Sequence, residues 1–135
     1  MGFGIGFACF YVRLMNDWER EMEWIGTWKN QYGSELVITE EVNGKLSGTF
    51  CTALEDSGFY GQTFSVTGIT QGACINFAFA GKGKTGDMLA SFSGILLGDR
   101  METMWFVVVH APDKREPWPH AVSSNHDTFR RADAR

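Results

Sequence analysis

The chain has 135 residues, of which 44% are hydrophobic, 21% charged and 14% aromatic: enough for one compact core and too little for two. Its 16 glycines against 3 prolines, together with 5 Trp, 3 Tyr and 11 Phe, exclude a disordered or collagenous chain and point to short apolar elements separated by glycine turns. A net charge of -4, with no basic run longer than Arg130-Arg131, removes the phosphate attraction on which nucleic-acid binding rests.

The opening Met1 to Leu14 is apolar but far shorter than the ~20 residues of a membrane helix, and it lacks a basic start and a small-residue cleavage site. No membrane span is expected, and the compartment stays open. Val12, Met15, Trp18 and Met22 recur at helical spacing among charged residues, so residues 1–23 read as a leader, either a short helix or a flexible segment. From Trp24 the period becomes two, with Trp24, Gly26, Trp28 and Asn30 on one face, which is a strand. Tyr32-Gly33 turns the chain into Glu35 to Glu40. Asn43-Gly44, a strong two-residue hairpin signal, leads into Lys45 to Cys51. A polar loop from Thr52 to Gln62 precedes a strand over Thr63 to Ile69, and Gln71-Gly72 turns into Ala73 to Ala80. A basic glycine-rich loop, Gly81 to Asp87, connects to Met88 to Leu97. Gly98-Asp99 then leads into Glu102 to His110, and a short last strand runs from about His126 to Arg131.

These elements assign residues 24–131 to one β-domain and 132–135 to a tail. Eight short antiparallel strands joined almost entirely by hairpins are best satisfied by an all-β, up-and-down β-barrel, because closure pairs both sheet edges. A β-sandwich is the alternative. A barrel of eight strands holds side chains or one small ligand and no aqueous channel.

Catalytic and metal motifs are weak. Gly83-Lys84-Thr85 has the ending of a phosphate-binding loop, but the first glycine of that motif falls on Ala78 and the segment joins two strands, so it reads as a solvated hairpin tip. His110, His120 and His126 lack metal-ligand spacing, and no nucleophile with an evident base can be named. The chain therefore reads as a non-enzyme with no metal and no cofactor. Cys9, Cys51 and Cys74 cannot all pair within one chain, which speaks against a disulfide framework and leaves one pair open.

Trp24 to Ser34 (WIGTWKNQYGS), then Asn43 to Phe50 (NGKLSGTF), Val66-Thr67-Gly68, Phe92-Ser93-Gly94, Trp105 and His126 to Phe129 (HDTF) resemble, in order, the avidin and streptavidin family. The resemblance covers about residues 24–131 and implies a streptavidin-like barrel that binds biotin in its interior. A buried ureido group needs partners for one carbonyl and two N-H groups, or it loses about 1–3 kcal/mol for each one left unpaired. By position in the family motif, Asn30 and Ser34 donate to the ureido oxygen, and Asp127 and Thr52 each accept from one N-H. Phe79, Phe92 and Trp105 match the aromatic walls. Taken singly, each aromatic reads as core filling and Asn30 or Ser34 as turn chemistry; the shared motif is what favours the ligand reading.

Three positions depart from the family. Phe50 stands where the family carries a tyrosine hydroxyl, Met88 where it carries a serine for the ligand carboxylate, and Ala90 where it carries a threonine for the thioether. At about 0.5–1.5 kcal/mol each, three lost contacts weaken biotin binding by roughly ten- to two-thousandfold. In the longer Thr52 to Gln62 loop, Asp56, Ser57 and Tyr60 are candidates to replace the carboxylate contact. The departures also leave open an avidin-like barrel that takes another ligand or acts as an assembly module. Trp118, between Pro117 and Pro119, approximately matches the tryptophan that family tetramers lend to a neighbouring pocket. The run Trp105 to Val109 reads as buried on both faces, so a homo-oligomer is expected, a tetramer ahead of a dimer. The cysteines do not match the disulfide of dimeric family members and are expected free. The resemblance favours secretion.

Overall fold

The computed structural model describes residues 24–110 and 121–132. Eight strands run β1 (Gly26–Asn30), β2 (Glu35–Val42), β3 (Lys45–Cys51), β4 (Phe64–Gln71), β5 (Cys74–Lys82), β6 (Asp87–Leu97), β7 (Arg100–Val109) and β8 (Val122–Arg131). Each pairs antiparallel with the next, and β1 pairs with β8 through Trp28↔Arg131 and Asn30↔Phe129, so the barrel closes. The up-and-down barrel is therefore the fold, and the sandwich is not. The expected leader over 1–23, most of the tail, Cys9 and Trp118 lie outside the described residues.

Alternation places one face of every strand inside. Ile75, Phe77 and Phe79 of β5 meet Met88, Ala90 and Phe92 of β6 and Phe129 of β8 in a core where Phe77 stacks on Phe92 at 4.7 Å. The Asn43-Gly44 turn has the left-handed geometry its sequence demands, with φ of 53° and 77°, and Thr70 N-H donates to the Gly44 carbonyl at 2.8 Å.

Most strand ends differ from the sequence reading by one or two residues, and the start of β8 by four. The first strand begins at Gly26 because Trp24 is helical, its carbonyl accepting from the Trp28 indole at 2.9 Å. The last strand begins at Val122, four residues early, because Val122 to Asn125 pair with the far half of the ten-residue β7. Polar Ser123, Ser124 and Asn125 carry little strand signal, and the long partner imposes it. A register shift between Ile38 and Glu40 turns Glu41 inward, where Oε2 accepts from the Thr70 hydroxyl at 2.6 Å and Oε1 is buried without a partner. Cys51 and Cys74 are exposed free thiols. Trp105, Val107 and Val109 are half-buried facing inward, whereas Phe106 is 52% and Val108 40% exposed, so the run is covered on one face only in the single chain.

Candidate functional site

A cavity of about 380 Å³ opens at one end of the barrel. Its size is that of a small-molecule site. The polar wall begins where β1 ends. Asn30 Oδ1 accepts the backbone N-H groups of Tyr32 at 3.0 Å and Ser34 at 2.9 Å. Those two donors fix which way the amide faces, because only its oxygen can accept them. The amide NH₂ is thereby turned to the cavity side, where Nδ2 donates to Asp127 Oδ2 at 3.1 Å. An NH₂ has two hydrogens, so a second donor remains.

Asp127 on β8 is 6% exposed. Gln31 Nε2 donates to its Oδ1 at 3.1 Å, and the Gln31 Oε1 accepts the Thr128 backbone N-H at 3.0 Å. Pairing of β1 with β8 stops at Asn30, and the Gln31 amide continues the ladder as a side-chain rung. From the neighbouring strand, the buried Thr103 hydroxyl donates to the Asp127 carbonyl at 2.9 Å. Position and orientation of this carboxylate are thus set from both sides, with acceptor capacity left over on each oxygen. Among the described residues it has no cationic partner within 4 Å.

Ser34 and Thr52 complete the polar wall. The Ser34 hydroxyl oxygen accepts the Ala53 backbone N-H at 2.9 Å, Thr52 Oγ1 accepts that of Leu54 at 3.2 Å, and the two hydroxyls lie 3.2 Å apart. One of the two hydroxyl protons bridges the pair; with Thr52 as that donor, the Ser34 proton is left to donate into the cavity. The facing wall is apolar, formed by Phe50, Met88, Ala90, Phe92, Trp105 and Val107.

The 52–63 loop folds over the mouth. Phe59 packs edge-on against Phe64 at 5.7 Å and Phe79 at 5.8 Å, which anchors the loop to the core. Gln62 Nε2 donates to the Lys82 carbonyl at 2.8 Å, and the Lys84 N-H to the Gly58 carbonyl at 2.6 Å. The β5–β6 loop is thus a hairpin tip exposed at Lys84 and Thr85, as its sequence suggests, that also borders the cavity.

The Avidin family profile matches residues 18–132. The chain belongs to the avidin family. No curated protein matches it in sequence. Among solved structures, a bradavidin2–biotin complex matches with TM-score 0.67 and 24% identity, covering 79% of this chain and 95% of that one. A rhizavidin–biotin complex matches with TM-score 0.68 and 21% identity over 82% and 93%. A low-affinity phenylalanine-to-alanine mutant of shwanavidin matches with TM-score 0.67 and 22% identity over 81% and 94%. At these identities the likenesses show the avidin fold, and avidin-family membership puts the chain among non-enzymatic binding proteins.

Within this avidin barrel, Asn30, Ser34, Phe50, Thr52, Met88, Ala90, Phe92, Trp105 and Asp127 all line the one cavity. Phe79 does not. It stacks behind Phe50 at 4.7 Å and beneath Phe59, so it backs the wall instead of facing the cavity. Of the loop candidates, Asp56 and Ser57 line the cavity, whereas Tyr60 lies outside it and is 45% exposed. Trp118 falls outside the described residues. The sequence reading missed Gln31, Thr103, Phe59 and Lys84. Only Phe59, the one phenylalanine in a polar loop, carried a signal of its own; the others act through partners distant in sequence.

Proposed function

We propose that this protein binds biotin, without catalysis, in the barrel interior, more weakly than avidins with a full set of polar contacts. The carrying observation is the pinned Asn30 amide beside the Asp127 carboxylate. Asn30 Nδ2 and the Ser34 hydroxyl donate to the ureido oxygen, and Asp127 accepts one ureido N-H. Thr52 Oγ1 accepts the other. Phe92 and Trp105 cover the bicyclic ring. The bradavidin2 and rhizavidin complexes with biotin support the same ligand, and the shwanavidin mutant supports an affinity sensitive to a phenylalanine. Phe50, Met88 and Ala90 bring no hydroxyl, which costs roughly 1.5–4.5 kcal/mol in all.

Calorimetric titration with biotin tests this. One saturable site per chain is expected, lost or weakened by at least about a hundredfold in Asp127→Ala, because a buried ureido N-H and the Asn30 and Gln31 amides lose their acceptor. Absence of both heat and thermal shift at high biotin overturns the reading and leaves the same barrel with another ligand or an assembly role.

The outer face of β6 to β8 carries Leu89, Met104, Phe106, Val108 and Val122, each at least 36% exposed in the single chain. An apolar stripe of this kind on a barrel exterior favours burial against a second copy. We propose a homo-oligomer, a tetramer ahead of a dimer. Analytical ultracentrifugation reads it, and Phe106→Glu is expected to shift the species toward monomer.

A further inference from the structure

The polarity of the cavity lining is uneven along its length. Asp127 and Ser123 both line it and lie four residues apart on β8, which at ~3.4 Å per residue separates them by about 13 Å. That is about the reach of a bicyclic ring with its acid arm extended. With the ring held near Asp127, the arm ends level with Ser123 and Val109, where the β5–β6 loop closes the mouth. Met88 and Ala90, which line the way there, carry no hydrogen-bonding hydroxyl.

At that end, Lys84 is the cation among the described residues that lines the cavity. Its backbone is held in place, since its N-H donates to Gly58 at 2.6 Å and the Gly83 N-H to Gly86 at 2.8 Å. Its ammonium has no ion pair and no hydrogen-bond partner among the described residues. The neighbouring Lys82, in contrast, is taken by Asp87 at 3.3 Å. Asp56 lines the same mouth from the 52–63 loop, without an ion pair to Lys84 within 4 Å. Asp56 repels a carboxylate and so makes a matching cation necessary if an acid is to be held. Ser57, Thr85 and Ser123 supply hydroxyls around it.

We propose that Lys84 determines specificity for the far end of the ligand: its ammonium receives the free carboxylate of the acid arm, so the site prefers the acid to the corresponding amide. The proposal rests on the biotin reading of the inner half. It makes the loop cation stand in for the contact that Met88 no longer offers, by charge instead of by a hydroxyl. A flexible lysine makes a point-charge contact without strict geometry, which suits a ligand end at a loop-lined mouth.

The test compares biotin with biotinamide, in which the carboxylate is replaced by a neutral amide, on the full chain and on Lys84→Ala and Lys84→Arg. Lys84→Ala is expected to weaken biotin roughly three- to tenfold and to leave biotinamide within about twofold, the size of a partly exposed charge contact. Lys84→Arg keeps biotin binding, and added salt weakens biotin but not biotinamide. Equal changes for the two ligands, or none for either, overturn the role of Lys84 while leaving the biotin site intact. Failure of the unaltered chain to bind either ligand removes the biotin reading and this inference with it.

Discussion

The two ends of the cavity are built on different principles. At the inner end, Asn30, Gln31, Ser34 and Asp127 are joined through hydrogen bonds of 2.9–3.1 Å, with backbone N-H groups of Tyr32 and Ser34 orienting Asn30, that of Ala53 holding Ser34 and that of Thr128 holding Gln31. Towards the mouth, Met88 and Ala90 offer apolar surface, and the polar groups come from two loops joined through Gly58 and Gln62. The contrast shows where a small binding site needs rigidity. Polar groups that must pair a buried polar ligand group are costly to misplace, whereas apolar walls tolerate variation in shape and loop groups can adapt.

Breaking the inner end has the largest expected effect. Asn30→Ala removes the proposed ligand donor and also strips the acceptor from two backbone N-H groups. Biotin affinity is expected to fall by about 2–3 kcal/mol, roughly 30- to 150-fold, by calorimetry. A loss under about threefold would show that the pinned amide does not contact the ligand.

Loosening the mouth costs less. Phe59→Ala takes away the edge contacts on Phe64 and Phe79 that tie the loop down. Biotin dissociation, followed by displacement of a fluorescent conjugate, is expected to speed about five- to thirtyfold with little change in association. Unchanged dissociation would mean that the loop does not gate the site.

Restoring one polar contact sharpens the contrast in the opposite direction. Phe50→Tyr adds a donor to the apolar wall and is expected to tighten biotin by about 0.5–1.5 kcal/mol, roughly two- to twelvefold. No gain would indicate that Ser34 and Asn30 already saturate the ureido oxygen.

The smallest effect separates the inner face of β8 from its outer face. Glu102 accepts from the Thr128 hydroxyl and from Arg100 at 2.8 Å and sits 2.8 Å from His126, and its pKa is lowered from 4.5 to about 2, chiefly by Thr128, then Arg100, against desolvation, with His126 adding to the lowering. A carboxylate depressed in the folded state contributes stability above its unfolded pKa and loses it as pH falls toward the folded value. Thermal melts between pH 5 and pH 2 are expected to fall less steeply for Glu102→Gln than for the unaltered chain, with biotin affinity at neutral pH the same in both. A change in affinity would tie the outer cluster to the cavity.

Much of the fold is legible because the physics is local. Trp28 and Lys29 show the period of two, Asn43-Gly44 dictates a two-residue turn, and Ile75, Phe77 and Phe79 declare an inner face. The start of β8 was not legible, since Ser123, Ser124 and Asn125 become strand only through the partner strand β7. In the candidate site, the family motif marks Asn30 and Asp127, which line one cavity and hydrogen-bond to each other. Gln31 and Lys84 read as ordinary polar residues at a strand end and a hairpin tip.

By itself, the sequence determined the number of strands, their antiparallel order and the inward faces, because hydrophobic alternation and turn chemistry act between near neighbours; the family followed from the resemblance of its motifs. Tertiary structure alone decided that Asn30 meets Asp127 across 97 residues of chain, that Phe79 backs a wall it was expected to line, and that the β5–β6 loop closes on Gly58. Those outcomes depend on barrel closure and on the register of β1 against β8. Closure brings distant polar groups within hydrogen-bonding range, and no local pattern encodes that distance.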